Sequence, residues 1–302
     1  MERYNPLVSI IIPVYNGANF MREAIDSALA QTYDNLEIIV VNDGSDDGGE
    51  TERIALSYGD KIRYYAKENG GCASALNFGI SKMRGEWFSW LSHDDVYFPE
   101  KVQSAVDCIS RNHLDAAHTV VVCGSMSIDG AGNPVLSRKQ SRQNKLYTPE
   151  EMFTRFMHGR ALNGCALLIP KVALDKVGAF STTYTYILDW IYWIELALAG
   201  YSFYEYDEVL VKNRKHAGQV SVKKRTLLLV ETQRFVLQLI DRLQEKPDVI
   251  EQLWLYSYQI GFREGAQKAK AHCTVSMRVR LRGYARHFVS AGKRALRKFL
   301  HI

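Results

Sequence analysis

Two carboxylates stand side by side where the apolar run "WFSWLS" ends in "HDD", at Asp94 and Asp95. Like charges at a strand end repel each other, so the arrangement needs a use. A hard divalent cation prefers oxygen ligands, and Mg²⁺ commonly takes one or two carboxylates together with phosphate oxygens. A second apolar run, "LEIIVVN", leads into "NDGSDDGG" with Asp43, Asp46 and Asp47. Acids gathered on one rim are unfavourable alone, but comfortable around a cation or hydrogen-bonded to a ligand. Asp94 could equally begin the turn before a helix near Pro99, a common use of Asp. Spacing alone leaves both uses open.

Further candidates lie in the second half. Asp189 sits near the start of "ILDWIYWIELALAG", which reads as an apolar helix ended by Gly200. An acid there can serve simply by complementing the helix dipole. His216 is a lone histidine beside the basic cluster of "KNRKHAGQVS".

The elements that must position these residues follow from the hydrophobic pattern. "LVSIIIPVY", "LEIIVVN", "IRYYA", "GEWFSWLS" and "AAHTVVVCGS" have strand length. Between them, "FMREAIDSALAQ", "GGETERIALSYG" and "CASALNFGISKM" carry a helical period, and "PEKVQSAVDCISR" places Pro99 at a first helical turn. Gly59 is a plausible C-cap for the second of these helices. Strand and helix alternating through short connections predict βαβ units and a mostly parallel sheet. The strand runs are continuously apolar, as expected when helices cover both faces. In such sheets the ligand lies beyond the carboxyl ends of the strands. There the sequence offers "PVYNG", "NDGSDDGG" and "SHDD".

The totals set limits. The chain has 302 residues, 47% of them hydrophobic and 24% charged, as in an ordinary globular protein. No stretch approaches the roughly 20 apolar residues of a membrane-spanning helix, and the short N-terminal run ends at Pro13, unlike a signal peptide. Cys72, Cys108, Cys123, Cys165 and Cys273 are scattered with no CxxC, which argues against a disulfide scaffold or zinc site and suits a reducing cytoplasm. Ten Lys and Arg residues and no acid follow Glu264; with +5 on the whole chain, the remainder carries −5. Two helices separated by Pro247 are expected in "TLLLVETQRFVLQLIDRLQ" and "VIEQLWLYSYQIGFREGAQKA". In the basic tail, Leu281, Tyr284, Ala285, Phe288, Ala295, Leu296 and Phe299 form an apolar stripe, the pattern of a helix at a membrane surface or packed on the protein. No nucleic-acid-binding module is recognised, and nucleic acid is not an expected partner.

"VSIIIPVYNG", "ALAQTYDNLEIIVVNDGSDDG", "ENGGCASALNFGI" and "GEWFSWLSHDDVYFPEKV" together resemble the nucleotide-sugar-binding half of a family 2 inverting glycosyltransferase of the GT-A type. "LDWIYWIELALAGY" and "RKHAGQVS" resemble its acceptor half. The likeness covers roughly residues 7–221. It rests on six segments in the right order and spacing, since "DGS" or "DD" alone is weak. It implies an α/β GT-A fold, a Rossmann-like, mostly parallel sheet flanked by helices, over residues 1–221. Residues 1–125 would bind the nucleotide sugar and 126–221 the acceptor, with a basic helical extension over 222–302.

The resemblance also implies roles. Pro13, Tyr15 and Asn16 would line the nucleotide, with Asp43 accepting from the base edge and Ser45 and Asn77 at the donor. Asp94 matches the principal ligand of Mg²⁺ or Mn²⁺, and Asp95 is expected behind it or facing the sugar. His216 and Arg214 would lie at the metal and diphosphate, and Ser221 matches a small hydroxyl residue after them. Asp189 matches the general base. The sequence departs from the family pattern at Ser92, where the first acid of the metal motif is usual, and at Leu188, where another acid commonly precedes the base. The implied reaction moves a sugar from a nucleoside diphosphate, UDP or dTDP, to a hydroxyl of a glycan or lipid-linked acceptor in cell-surface polysaccharide synthesis. The implied location is the cytoplasm, peripheral on the inner face of the plasma membrane. The competing reading is a nucleotide-sugar-binding module without turnover. A dehydrogenase is excluded because only Gly17 follows the first strand, where G-x-G-x-x-G is required. A sugar-phosphate nucleotidyltransferase would need a glycine-rich, Arg-containing loop at "PVYNG", which is absent.

Overall fold

The computed structural model describes residues 4–135, 144–216 and 225–272. The elements are β1 (Val8–Val14), α1 (Met21–Leu29), β2 (Leu36–Asp43), α2 (Glu50–Leu56), β3 (Arg63–Lys67), α3 (Gly71–Lys82), β4 (Trp87–Trp90), β5 (Val96–Tyr97), α4 (Lys101–Arg111) and β6 (Thr119–Ile128). They continue with β7 (Lys145–Tyr147), α5 (Pro149–Met157), β8 (Leu167–Pro170), α6 (Lys171–Val177), α7 (Leu188–Leu198), β9 (Ser202–Arg214), α8 (Arg225–Arg242), α9 (Pro247–Gln259) and α10 (Arg263–His272). The chain divides into two compact units, Met1–Phe153 with Ala161–Lys223, and Thr154–Arg160 with Lys224–Ile302.

The first unit is built on one sheet of order β3-β2-β1-β4-β8-β6-β9-β5, with β7 also paired to β9. Every residue of β1 is buried, which is what a central strand covered on both faces requires. Its neighbours β2 and β4 run parallel to it, and β3 runs parallel to β2. Beyond β4 the sheet becomes mixed: β8 is antiparallel to β4 and β6, while β6 and β9 are parallel. The parallel expectation therefore describes the half built by βαβ units; in the other half β6 and β9 keep that direction, while β8, β5 and β7 run against it.

The helices bury one face each. Helix α1 buries Met21, Ala24, Ile25 and Ala28. On α3, Gly79 lets the helix lie close on the sheet: a Cβ there would stand 2.5 Å from Ile11 Cγ2. Two local expectations are corrected. Pro99 lies in the turn ahead of α4, whose N-cap is Glu100, because the chain first forms the short strand β5. Gly59 does not cap α2; Ser57 does, and Gly59 opens a separate 3₁₀ turn.

In the second unit α8, α9 and α10 pack together, burying Phe235, Leu239, Leu253 and Ala269. Lys268 Nζ meets the Asp241 carboxylate at 2.6 Å, tying α10 to α8. Pro247 occupies the first turn of α9. The single helix expected after it is split by Gly261, whose φ of +75° ends α9. Among the described residues no helix is long and apolar enough to cross a membrane. The basic stripe from Leu281 to Phe299 lies outside the described residues.

Candidate active site

The loops after β1, β2 and β4 meet at the carboxyl edge of the parallel strands. Asn16 adopts a φ of +50°, which Asn tolerates better than most residues. This turns its carboxamide onto the second loop: Nδ2 donates to Asp46 Oδ1 at 2.6 Å, and Oδ1 accepts from Asp46 N at 2.9 Å. The Asn16 amide donates to Ser45 Oγ at 2.9 Å, and the exposed Tyr15 hydroxyl donates to Asp46 Oδ1 at 3.2 Å. The bonds from Asn16 and Tyr15 hold the Asp46 carboxyl below its ordinary range. Pro13 is buried within β1 opposite Val41. Gly17 admits the third loop, since a Cβ there would meet His93 Cδ2 at 2.9 Å.

Asp43 ends β2 and is 2% exposed. Its carboxylate accepts from Lys67 Nζ at 2.7 Å, Gly70 N at 3.1 Å and Gly71 N at 2.7 Å. A buried carboxylate is tolerable only when paired and hydrogen-bonded, and Lys67 with the start of α3 supplies both. Asn77 was expected at the donor. Its amide is instead committed to the chain before α7: Nδ2 donates to Phe180 O and Oδ1 accepts from Phe180 N, each at 2.8 Å. Phe180 stacks on Tyr192 of α7 with ring centroids 3.8 Å apart, so Asn77 positions the helix that carries Asp189.

The two acids after β4 have opposite surroundings. Asp94 Oδ2 lies 3.0 Å from His216 Nε2. Asp95 is buried, and its carboxylate accepts from Asn213 Nδ2 at 3.1 Å, Arg214 N at 2.9 Å and Cys165 Sγ at 3.2 Å. Burial, with Asp94 beside it, pushes the Asp95 carboxyl up to about 6. Arg214 is also buried; its Nε donates to Asp94 O at 2.9 Å, Nη1 to Gly130 O at 3.0 Å and Nη2 to Glu23 Oε2 at 2.6 Å. Its guanidinium lies 4.6 Å from the Phe20 ring centroid. Asp95, expected behind Asp94 or facing the sugar, is thus held from behind, and Arg214, expected at the metal and diphosphate, bonds the Asp94 backbone carbonyl.

Asp189 occupies the first turn of α7, where its Oδ1 accepts from Trp190 N at 2.7 Å. Burial pushes its carboxyl up to about 6, a value suited to a base working near neutral pH. Cys72, next to the Gly71 amide that holds Asp43, joins the pieces. It is open to solvent, yet enclosed by enough protein that desolvation, followed by the charges of Asp189, Asp43 and Asp94, pushes its thiol up to about 12. The three carboxylates come from β2, the loop after β4, and α7, and their charges all act on Cys72.

The residues present fit a divalent cation in part. Asp94 and His216 offer one carboxylate oxygen and one imidazole nitrogen. Their 3.0 Å separation is that of adjacent ligands on an octahedral ion with bonds of about 2.1 Å. Among the described residues no group of three His, Cys, Asp or Glu side chains could hold a metal. The remaining positions would fall to water and a bound diphosphate, the usual habit of Mg²⁺.

A family model described as glycosyl transferase family 2 matches residues 9–178, more than half of the chain. The chain belongs to glycosyl transferase family 2. This family 2 glycosyltransferase is 49% identical over 218 residues to an uncharacterized glycosyltransferase of Rickettsia typhi, covering 72% of this chain and 67% of that one. It is 36% identical over 156 residues to the chondroitin synthase of Pasteurella multocida, covering 49% of this chain and 16% of that one. Among solved structures, residues 1–349 of S. aureus TarS in complex with UDP-GlcNAc match with a TM-score of 0.67 at 17% identity, over 90% of this chain and 82% of that one. The likeness to TarS is one of fold, and it agrees with the GT-A expectation of a Rossmann-like sheet flanked by helices.

Lys67, Cys72, Cys165, Asn213 and Glu23 were not singled out by sequence. Lys67 and Glu23 had no local signal. Asn213 and Cys165 become visible only when β9 and the 163–166 turn are folded against the acid pair.

Proposed function

We propose that this glycosyltransferase moves a sugar from a UDP- or dTDP-linked donor to a hydroxyl of a glycan or lipid-linked acceptor, with inversion at the anomeric carbon. The observation that carries the reading is the meeting of the loops after β1, β2 and β4 at one edge of the sheet, where Asp94 stands 3.0 Å from His216. A uracil-type ring offers an N–H that the carboxylate of Asp43 can accept, with Tyr15, Asn16 and Ser45 beside it. That TarS binds UDP-GlcNAc supports a uridine nucleotide.

Asp94 and His216 would hold Mg²⁺ or Mn²⁺, whose chemistry is to neutralise charge on the departing diphosphate. Asp189 takes the proton of the acceptor hydroxyl. The oxygen then bonds to the anomeric carbon from the face opposite the diphosphate, the bond to the phosphate oxygen breaks, and the nucleoside diphosphate leaves. One displacement inverts the configuration, and no covalent sugar intermediate is needed. Base catalysis of this kind contributes about 10²–10⁴-fold. Ser92 and Leu188 favour a second reading, a nucleotide-sugar-binding module without turnover.

The wider setting belongs to the same proposal: surface-polysaccharide synthesis at the inner face of the membrane. The sequence after Glu264, with ten basic residues and no acid, supports an anionic surface as partner. Release of nucleotide from a panel of UDP-, dTDP- and GDP-sugars, with and without acceptor glycans and Mn²⁺, tests the whole. Turnover of one donor supports transfer. Binding with no turnover on any acceptor assigns the chain to the second reading.

A further inference from the structure

The end of β9 grips the acid pair residue by residue. Asn213 reaches Asp95 through its side chain and Arg214 through its backbone N–H, Arg214 Nε reaches the Asp94 carbonyl, and His216 reaches the Asp94 carboxylate. From the other side comes Cys165, on the 163–166 turn. Its Sγ donates to Asp95 Oδ2 at 3.2 Å and accepts from Ser92 N at 3.2 Å, with Ser92 Oγ at 3.5 Å. Cys165 is 1% exposed, so no water competes for these bonds. Ser92 stands where the family commonly has an acid, and here that position faces a thiol.

We propose that Cys165 and Asn213 are positioning residues that hold the Asp95 carboxylate so that Asp94 meets His216 as a preformed cation-binding pair. The inference rests on the donor-site reading above. The physical reason is the shortness of the link. Asp94 and Asp95 share a peptide, so fixing the Asp95 carboxylate at both oxygens fixes the direction in which the Asp94 side chain leaves the backbone. Cys165 and Asn213 approach Asp95 from different elements, the 163–166 turn and β9. The buried Arg214 guanidinium, paired with Glu23, locks the same peptide from its carbonyl side. Partners that orient metal ligands in this way typically matter by about 10–100-fold in metal affinity.

The test uses the full chain, Mn²⁺ and UDP. Mn²⁺ binding in the presence of saturating UDP is measured by calorimetry for wild type, Cys165→Ala, Cys165→Ser and Asn213→Ala, with thermal unfolding as a check on folding. Cys165→Ala and Asn213→Ala are expected to weaken Mn²⁺ binding about tenfold. Cys165→Ser, which keeps a donor, is expected to stay within a few-fold of wild type. In steady-state assays the loss should appear in the Mn²⁺ concentration for half-activation, with kcat at saturating Mn²⁺ largely kept. Variants that melt earlier but bind Mn²⁺ as wild type does would overturn the proposal and leave the two residues a purely structural role. Wild type that binds UDP with no dependence on Mn²⁺ would overturn it as well. Wild type that binds no nucleotide at all would instead bring down the donor-site reading and the proposal with it.

Discussion

Replacing Asp189 by Asn removes a carboxylate that burial holds at a pKa of about 6, against 3.8 for a free side chain. At about 1.36 kcal/mol per pH unit, that displacement amounts to about 3 kcal/mol as an upper bound. The sign follows from linkage. The folded protein favours the neutral acid, so the group's contribution is fully present below pH 3.8 and is lost as pH rises through about 6. Above pH 7 the whole cost of holding the charged form falls on the native state. Asn carries no charge, and its carbonyl can still accept from Trp190 N. Asp189→Asn should therefore be more stable than wild type at pH 8, by up to about 3 kcal/mol or roughly 6–12 °C in Tm, and the advantage should shrink towards zero near pH 4. The same change should slow sugar transfer by about 10²–10⁴-fold. Thermal unfolding followed by circular dichroism from pH 4.5 to 8 reads the first effect, and nucleotide release at saturating donor reads the second. An Asn variant less stable than wild type at pH 8, or a stability difference that ignores pH, would refute the reasoning. So would wild-type turnover that does not fall as pH drops through about 6.

Two further outcomes follow from the geometry. His216→Ala leaves Asp94 in place and should raise the Mn²⁺ concentration for half-activation by about tenfold, read by metal titration of the transfer rate. Gly79→Val would drive α3 off β1, because a Cβ at that site already stands 2.5 Å from Ile11 Cγ2. It should cost about 1–3 kcal/mol, read by urea unfolding.

Much of the parallel half of the sheet can be read directly. "VSIIIPV" and "LEIIVVND" are continuous apolar runs, and the acids that close them stand at the carboxyl edge because a parallel sheet delivers all its strand ends to one side. The site's second half resists such reading because its contacts are long-range. Asn213 and Arg214 meet Asp95 across nearly 120 residues, and the pairing depends on β9 running beside β6 and β5. β9 was not singled out as a strand by sequence, and a local pattern would in any case say nothing of its neighbours. The resemblance leaves Asp95 either behind Asp94 or facing the sugar, and only the folded contacts of β9 place it behind Asp94, with Arg214 on the Asp94 carbonyl. Asn77 shows the same limit, because its partner Phe180 lies 103 residues away. Gly261 was legible in principle, since glycine is the residue that can end a helix with positive φ, but the apolar periodicity around it ran on unbroken.

The measurement that bears most directly on the central claim is calorimetric binding of UDP-GlcNAc with Mn²⁺ to wild type, Asp94→Asn and Asp189→Asn. A donor cleft with separate metal and base carboxylates predicts binding to wild type and to Asp189→Asn, with at least tenfold weaker binding to Asp94→Asn. Equal binding by Asp94→Asn and wild type, or loss of binding in Asp189→Asn alone, would contradict it.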